Sequence, residues 1–288
     1  MPRFDTPSPI DLAINLSVGS IEVIASDRSD TVISILPTNP EKPVDVRGAQ
    51  DTTVDFDGER LVIKGPKPRL SWIGPTESID ITIEVPTGSR LTAELAVGPV
   101  RSRGRLGATR VKASTGTIDL ESTGDLWLRA AHGNATMATI AGTAEITADH
   151  GQIRIGTVTG DATLKASHGS VTIGESGGDI DAKLSYGDVE LRRALGSVSA
   201  TTAYGSIRVL DVSVGSVTLD TAFGAIVVGV TPGVSAWLDV ASKEGRVRNE
   251  LEGESAPAGS EKTVEVRART KFGDITIQRA ALAEGVQA

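Results

Sequence analysis

The chain has 288 residues, a net charge of −8 and 39% hydrophobic residues, but only 3% aromatic ones. It is long enough for one large domain or two ordinary ones, and too acidic to neutralise the phosphates of a nucleic acid. With no cysteine, disulfides, thiolate nucleophiles, Cys-type zinc sites and iron–sulfur ligation are excluded.

Residues 1–97 are strand-rich and irregular. PIDLAINLSVGSIEVIASDRSDTVISIL, from Pro9 to Leu36, alternates apolar and polar residues, the pattern of a half-buried strand. SIDITIEVPTGSRLTAELAVG (Ser78–Gly98) does the same. Two polar, proline-bearing segments, Pro37–Asp51 and Lys64–Ser78, are expected to be loops. This stretch is taken as a β-rich cap. Its start lacks a basic segment followed by an apolar run, and no stretch has the ~18 apolar residues of a membrane span. A cytoplasmic protein without an integral membrane segment is expected.

From residue 98 the chain is periodic. Glycines stand at 98, 107, 116, 124, 133, 142, 151, 160, 169, 178, 187, 196, 205, 215, 224 and 233; thirteen of the fifteen intervals are nine residues. Each glycine opens a polar–apolar alternation, as in Gly169-Ser-Val-Thr-Ile and Gly205-Ser-Ile-Arg-Val. Every second glycine follows His or an aromatic: His132, His150, His168, Tyr186, Tyr204 and Phe223. The repeat is therefore about 18 residues, holding two strands and two corners, with glycine supplying the positive φ of a tight corner. One such unit cannot bury its apolar face, but stacked units can. The expected fold is all-β: a flattened two-sheet β-solenoid of about eight coils over residues 98–245, roughly 40 Å long at the spacing of sheet strands.

Inward positions follow from the alternation: Val171, Ile173, Ile180, Ala182, Leu184, Val189, Leu191, Val198, Ala200, Ile207, Val209, Val217 and Leu219. Outward lie Arg154, Thr172, Glu190 and Arg208 on one sheet, and Glu145, Thr163, Asp181 and Ser199 on the other. The six corner rings form a ladder along one edge. Residues 246–288 hold a loop (Glu252–Lys262), a return to the repeat in VEVRARTKFGDITI, where Phe272-Gly273 resembles the ladder corner, and a tail.

The three histidines, His132, His150 and His168, are candidate metal ligands, since imidazoles on adjacent coils could share a zinc ion. Tyr and Phe on the following rungs favour corner packing instead. A Ca2+-binding nonapeptide roll requires a doubled glycine and an aspartate at fixed offset. Asp161, Asp179 and Asp188 follow glycines, but Asn, Gln and Ser hold that place elsewhere. No G-x-S-x-G, phosphate-binding loop or dinucleotide fingerprint occurs, and the outward residues form no catalytic cluster. No catalytic residue and no cofactor are therefore assigned. Trp127 takes an outward place next to the one unit shorter than the rest, so a register shift or cover by the N-terminal half is expected there. Trp72 anchors its loop or makes a contact.

The G-x-[VI]-x-[VIL] strands, the corners HGSV, YGDV, YGSI and FGAI, and the closing FGDITI resemble a bacterial β-strand-repeat family, a domain of unknown function carrying an adhesin label. The resemblance spans residues 10 to 278. It implies a β-solenoid, supplies no catalytic residues, and links the chain to proteins often found at the cell envelope. The expected function is a non-enzymatic scaffold acting through a protein partner or self-association. The alternatives are an adhesin-like, glycan-binding module and a metal or ligand sensor using the histidine ladder.

Overall fold

The computed structural model describes residues 2–66, 77–251 and 263–281. Trp72, the Glu252–Lys262 segment and the tail from residue 282 lie outside the described residues. The chain divides into two compact units, residues 1–151 and 152–288.

In the second unit, parallel strands pair with the strand two places on, in a register that sets each residue beside its equivalent in the next coil. One ladder runs Ile153–Val158, Val171–Ser176, Val189–Ala194, Ile207–Val212 and Ile226–Val230. The other runs Ala162–His168, Ile180–Tyr186, Val198–Tyr204 and Gly215–Phe223. The thirteen inward residues expected from the sequence are all buried. Like stacks on like because the period is constant: Val171 lies beside Val189, and Val189 beside Ile207.

Chain order then breaks. Thr263–Phe272 pairs with Gly215–Phe223 on one side and with Ser235–Glu244 on the other. Ile275–Arg279 sits likewise between Ile226–Val230 and Val247–Asn249. The chain skips a rung, builds the outermost one with residues 235–249, and returns to fill the gap.

The first unit does the same at its start. Asp11–Ser26 is a long strand that serves both ladders. Its first half lies between Arg60–Lys64 and Arg90–Val97, and its second between Ile79–Pro86 and Val100–Arg105. The ladders continue through Thr109–Thr115, Leu126–His132 and Ala144–His150, and through Ile118–Thr123 and Ala135–Ile140. Antiparallel strands cover the outer rung: Asp30–Pro37 on Ile79–Pro86, Arg3–Asp5 on Asp30–Pro37, and Thr53–Phe56 on Arg60–Lys64. The Phe4 and Phe56 rings, 4.8 Å apart, join these covering strands.

Pro43–Asp51, expected as loop, is a helix. Pro43 stands in its first turn, where the missing N–H costs nothing and the fixed φ favours the helix. The Asp45 carboxylate, 3% exposed, accepts the backbone N–H of Asn39 and of Ser78 at 3.2 and 3.0 Å. A polar composition with proline thus marked a helix start rather than an irregular connection.

The two corners are also unlike. Glycines after His or an aromatic have positive φ, for example +137° at Gly187 and +154° at Gly205, while among the other corners from Gly107 to Gly196 none does. At Gly205 a Cβ would lie 2.0 Å from the Gly187 carbonyl oxygen. The aromatic corner therefore needs glycine twice over, for its φ and for the approach of the next rung. Gly205→Ala is expected to cost about 2–4 kcal/mol. Gly58→Ala, at φ +104° but with nothing within 4 Å, should cost about 1 kcal/mol. Urea midpoints of the two variants against the parent check this contrast.

Candidate interaction surfaces

The ladder positions fall into columns because the corner has fixed geometry. In the first unit, Val18, Val97, Thr115, His132 and His150 share one column. The His132 and His150 rings stack at 4.9 Å with 2° between planes. In the second unit, His168, Tyr186, Tyr204, Phe223 and Phe272 stack at 4.8–4.9 Å and within 5° of parallel. Phe272 joins Phe223 directly, although the two are far apart in sequence, because of the skipped rung. The spacing is that of sheet strands, so the backbone sets it. Each contact is worth roughly 0.5–1.5 kcal/mol. The rings are about half exposed and present their edges to solvent.

Face-to-face rings aim their nitrogen lone pairs along parallel planes. The His132–His150 pair therefore does not converge on one ion, as a tetrahedral zinc site requires. Among the described residues no group of three or more His, Cys, Asp or Glu side chains is arranged to hold a metal.

The aspartates that follow glycines serve the backbone. The Asp161 carboxylate accepts the Asp179 N–H at 2.9 Å, Asp179 accepts that of Ser197 at 2.7 Å, and Asp188 that of Ser206 at 2.7 Å. Each reaches one rung along and satisfies a corner amide that no strand pairs. At the aromatic corner inward hydroxyls serve as well: Thr202, Thr221 and Thr270 donate to the carbonyls of Gly187, Gly205 and Gly224. The sequence reading missed these threonines. Their signal is a Thr at a place where earlier coils carry Ala or Leu.

Trp127 points outward between buried Leu126 and Leu128. The short unit shortens one coil without flipping the strand: Leu126 pairs with Thr109, and Trp127 with Arg110. The Arg110 guanidinium lies 3.8 Å above its ring.

The outermost rung of the second unit is the least covered. No position of Ser235–Glu244 or Val247–Asn249 is buried. Leu238 and Val240 sit beside fully buried Val266 and Ala268 yet remain partly exposed. Trp237 is 53% and Val247 43% exposed. Among the described residues, no strand pairs with the outer side of this rung.

Asp125 gives a pH test of the corner bonds. Its carboxylate accepts the Thr143 N–H at 2.8 Å and hydroxyl at 3.0 Å, and these bonds hold its pKa below the usual carboxylate value. A lowered folded pKa contributes stability that is present above the unfolded pKa, near 4, and lost as pH falls through the folded one. Asp125→Asn should therefore lose less stability than the parent between about pH 4 and 2. Denaturant midpoints across that window measure it; identical slopes would remove Asp125 as a contributor.

Three solved structures are similar to this chain along their length. A protein named "putative adhesin" from Bacteroides fragilis is 13% identical, with 96% of this chain and 95% of that chain covered and a TM-score of 0.33. A second of that name, from Parabacteroides distasonis, is 12% identical, with 96% and 95% covered and a TM-score of 0.29. A "putative cell adhesion protein" from Clostridium sporogenes is 12% identical, with 96% and 98% covered and a TM-score of 0.26. Among curated proteins none matches. The Toastrack DUF4097 family model matches residues 10–278, with the glycine repeat, both kinds of corner and the closing FGDITI strand inside it, and the chain belongs to that family.

Proposed function

We propose that the protein is a non-catalytic interaction scaffold that associates end to end with a second copy through the outermost rung of its second unit. We read the two parallel ladders of each unit as the facing sheets of a flattened solenoid, since inward residues on both are fully buried. In such a stack every interior rung has a neighbour on both sides. The single observation that carries the proposal is the rung formed by Ser235–Glu244 and Val247–Asn249, which among the described residues has a neighbour on one side only.

An edge of this kind is a template for strand addition. Its outer backbone groups face no strand among the described residues, and its inward side chains Leu238, Val240 and Val247 are partly wetted. A second copy brings the same unmet requirements, so one contact between like surfaces serves both, as in an isologous dimer. At the first unit antiparallel strands cover the outer rung, and the edges they leave, Arg3–Asp5 and Thr53–Phe56, are only three and four residues long. The reading places the scaffold in the cytoplasm.

Light scattering on untagged protein tests the proposal. The mass should rise from monomer to dimer with concentration. The double variant Leu238→Lys, Val247→Lys should remain monomeric at every concentration with an unchanged circular dichroism spectrum, since both sites are already partly solvated. A parent that stays monomeric throughout, or a variant that assembles equally well, overturns it.

A further inference from the structure

We infer that two copies join by running Ser235–Glu244 antiparallel to itself about a two-fold axis at Asp239. Leu238 of each copy then lies opposite Val240 of the other. This rests on the end-to-end association already proposed, to which it adds direction and register.

The direction follows from symmetry and from where the core lies. Ser235–Glu244 has ten residues and Val247–Asn249 three, so the longer strand offers most of the backbone that a second copy can pair. A two-fold contact between identical edge strands that keeps both inward faces on one side runs them antiparallel, because its axis stands perpendicular to the sheet. Parallel addition, the mode used between rungs inside the unit, would need a different surface on the second copy.

The register follows from the side chains. Directly opposed residues of an antiparallel pair point to the same face, and a slip of one residue sets inward side chains against outward ones. Pairing with buried Val264, Val266 and Ala268 marks Ala236, Leu238 and Val240 as inward, whereas Trp237, Asp239 and Ala241 point outward. Complete overlap of the two strands would set Leu238 opposite Ala241, inward against outward, and is excluded. Two registers lose only one residue from each strand. Centred on Val240, the pairing puts Leu238 opposite Ser242. Centred on Asp239, it lets Leu238 and Val240 cover each other on both sides of the axis, which meets the apolar deficit of this edge. It also sets Trp237, 53% exposed, opposite Ala241, whose small side chain leaves room for the indole. The one like-charge contact is Asp239 against its own copy. Arg269 offsets it by donating to the carboxylate at 3.0 Å, and Arg267 faces the same residue in register.

The chain has no cysteine, so cysteines introduced one at a time report the register. Opposed residues stand about 4.5–5.5 Å apart at Cα, within disulfide reach, and residues two places off register stand beyond it. Full-length Leu238→Cys and Val240→Cys are treated with oxidised glutathione, separately and as an equimolar mixture, at concentrations where light scattering shows a dimer. A disulfide-linked dimer should form in the mixture and in neither variant alone. Asp239→Cys, outward and on the axis, should link to itself, and it keeps the test open where an inward cysteine weakens association. Linkage of Val240→Cys alone puts the axis on Val240, and linkage of Leu238→Cys alone puts it on Leu238. Either result overturns the register, as does a dimer that none of these cysteines links, while leaving self-association standing. A parent that stays monomeric at every concentration overturns both.

Discussion

The parallel backbone pairing between rungs is the constraint from which the rest follows. Gly187 donates to Tyr204 at 2.8 Å and Val189 to Ser206 at 3.0 Å, one rung along in each case. These bonds fix the rung spacing, and the constant period of the repeat then places each residue beside its own equivalent. An apolar column becomes core. A ring column becomes a stack whose spacing the rings did not choose. At the aromatic corner, successive glycines approach so closely that a Cβ would meet the preceding carbonyl. Side-chain identity is thus judged by two neighbours of the same kind.

That constraint makes the ends difficult, and each unit meets the difficulty by departing from chain order. Asp11–Ser26 enters at the second rung, and the strands that follow it go outside it. Thr263–Phe272 and Ile275–Arg279 close on the penultimate rung, inside strands made earlier. The first and last long strands are therefore paired on both sides, and fraying near either one cannot peel the stack from its end. The cost is non-local pairing: residues 263–279 must find partners some fifty residues earlier, with residues 235–249 on their other side.

Much of this was legible in the sequence because the period is short and the alternation strict. The thirteen inward residues and the ring column follow from counting in nines and twos. Counting fails where the signal is not periodic. Pro43–Asp51 is polar and contains proline, which reads as a loop unless the buried anchoring of Asp45 is known. The skipped rung is invisible because Ser235–Glu244 alternates as well as its neighbours, and only pairing shows that Phe272, not Glu244, follows Phe223. The two corner types differ in φ, yet both present a glycine. Trp127 stands out as an outward aromatic, but its partner Arg110 lies one coil earlier, across the one shortened unit.

These exceptions indicate where function is to be sought in a fold of this kind. A column whose members suit one another is accounted for by stability alone: the stacked rings, the corner aspartates and the run Glu175–Arg193–Asp211 each satisfy their neighbours. A column that fails the test has a term outside the protein. Among the described residues, Leu238, Val240 and Val247 lack the rung that would cover them. That deficit lies on the surface, where a partner can supply the backbone and apolar contact that is missing.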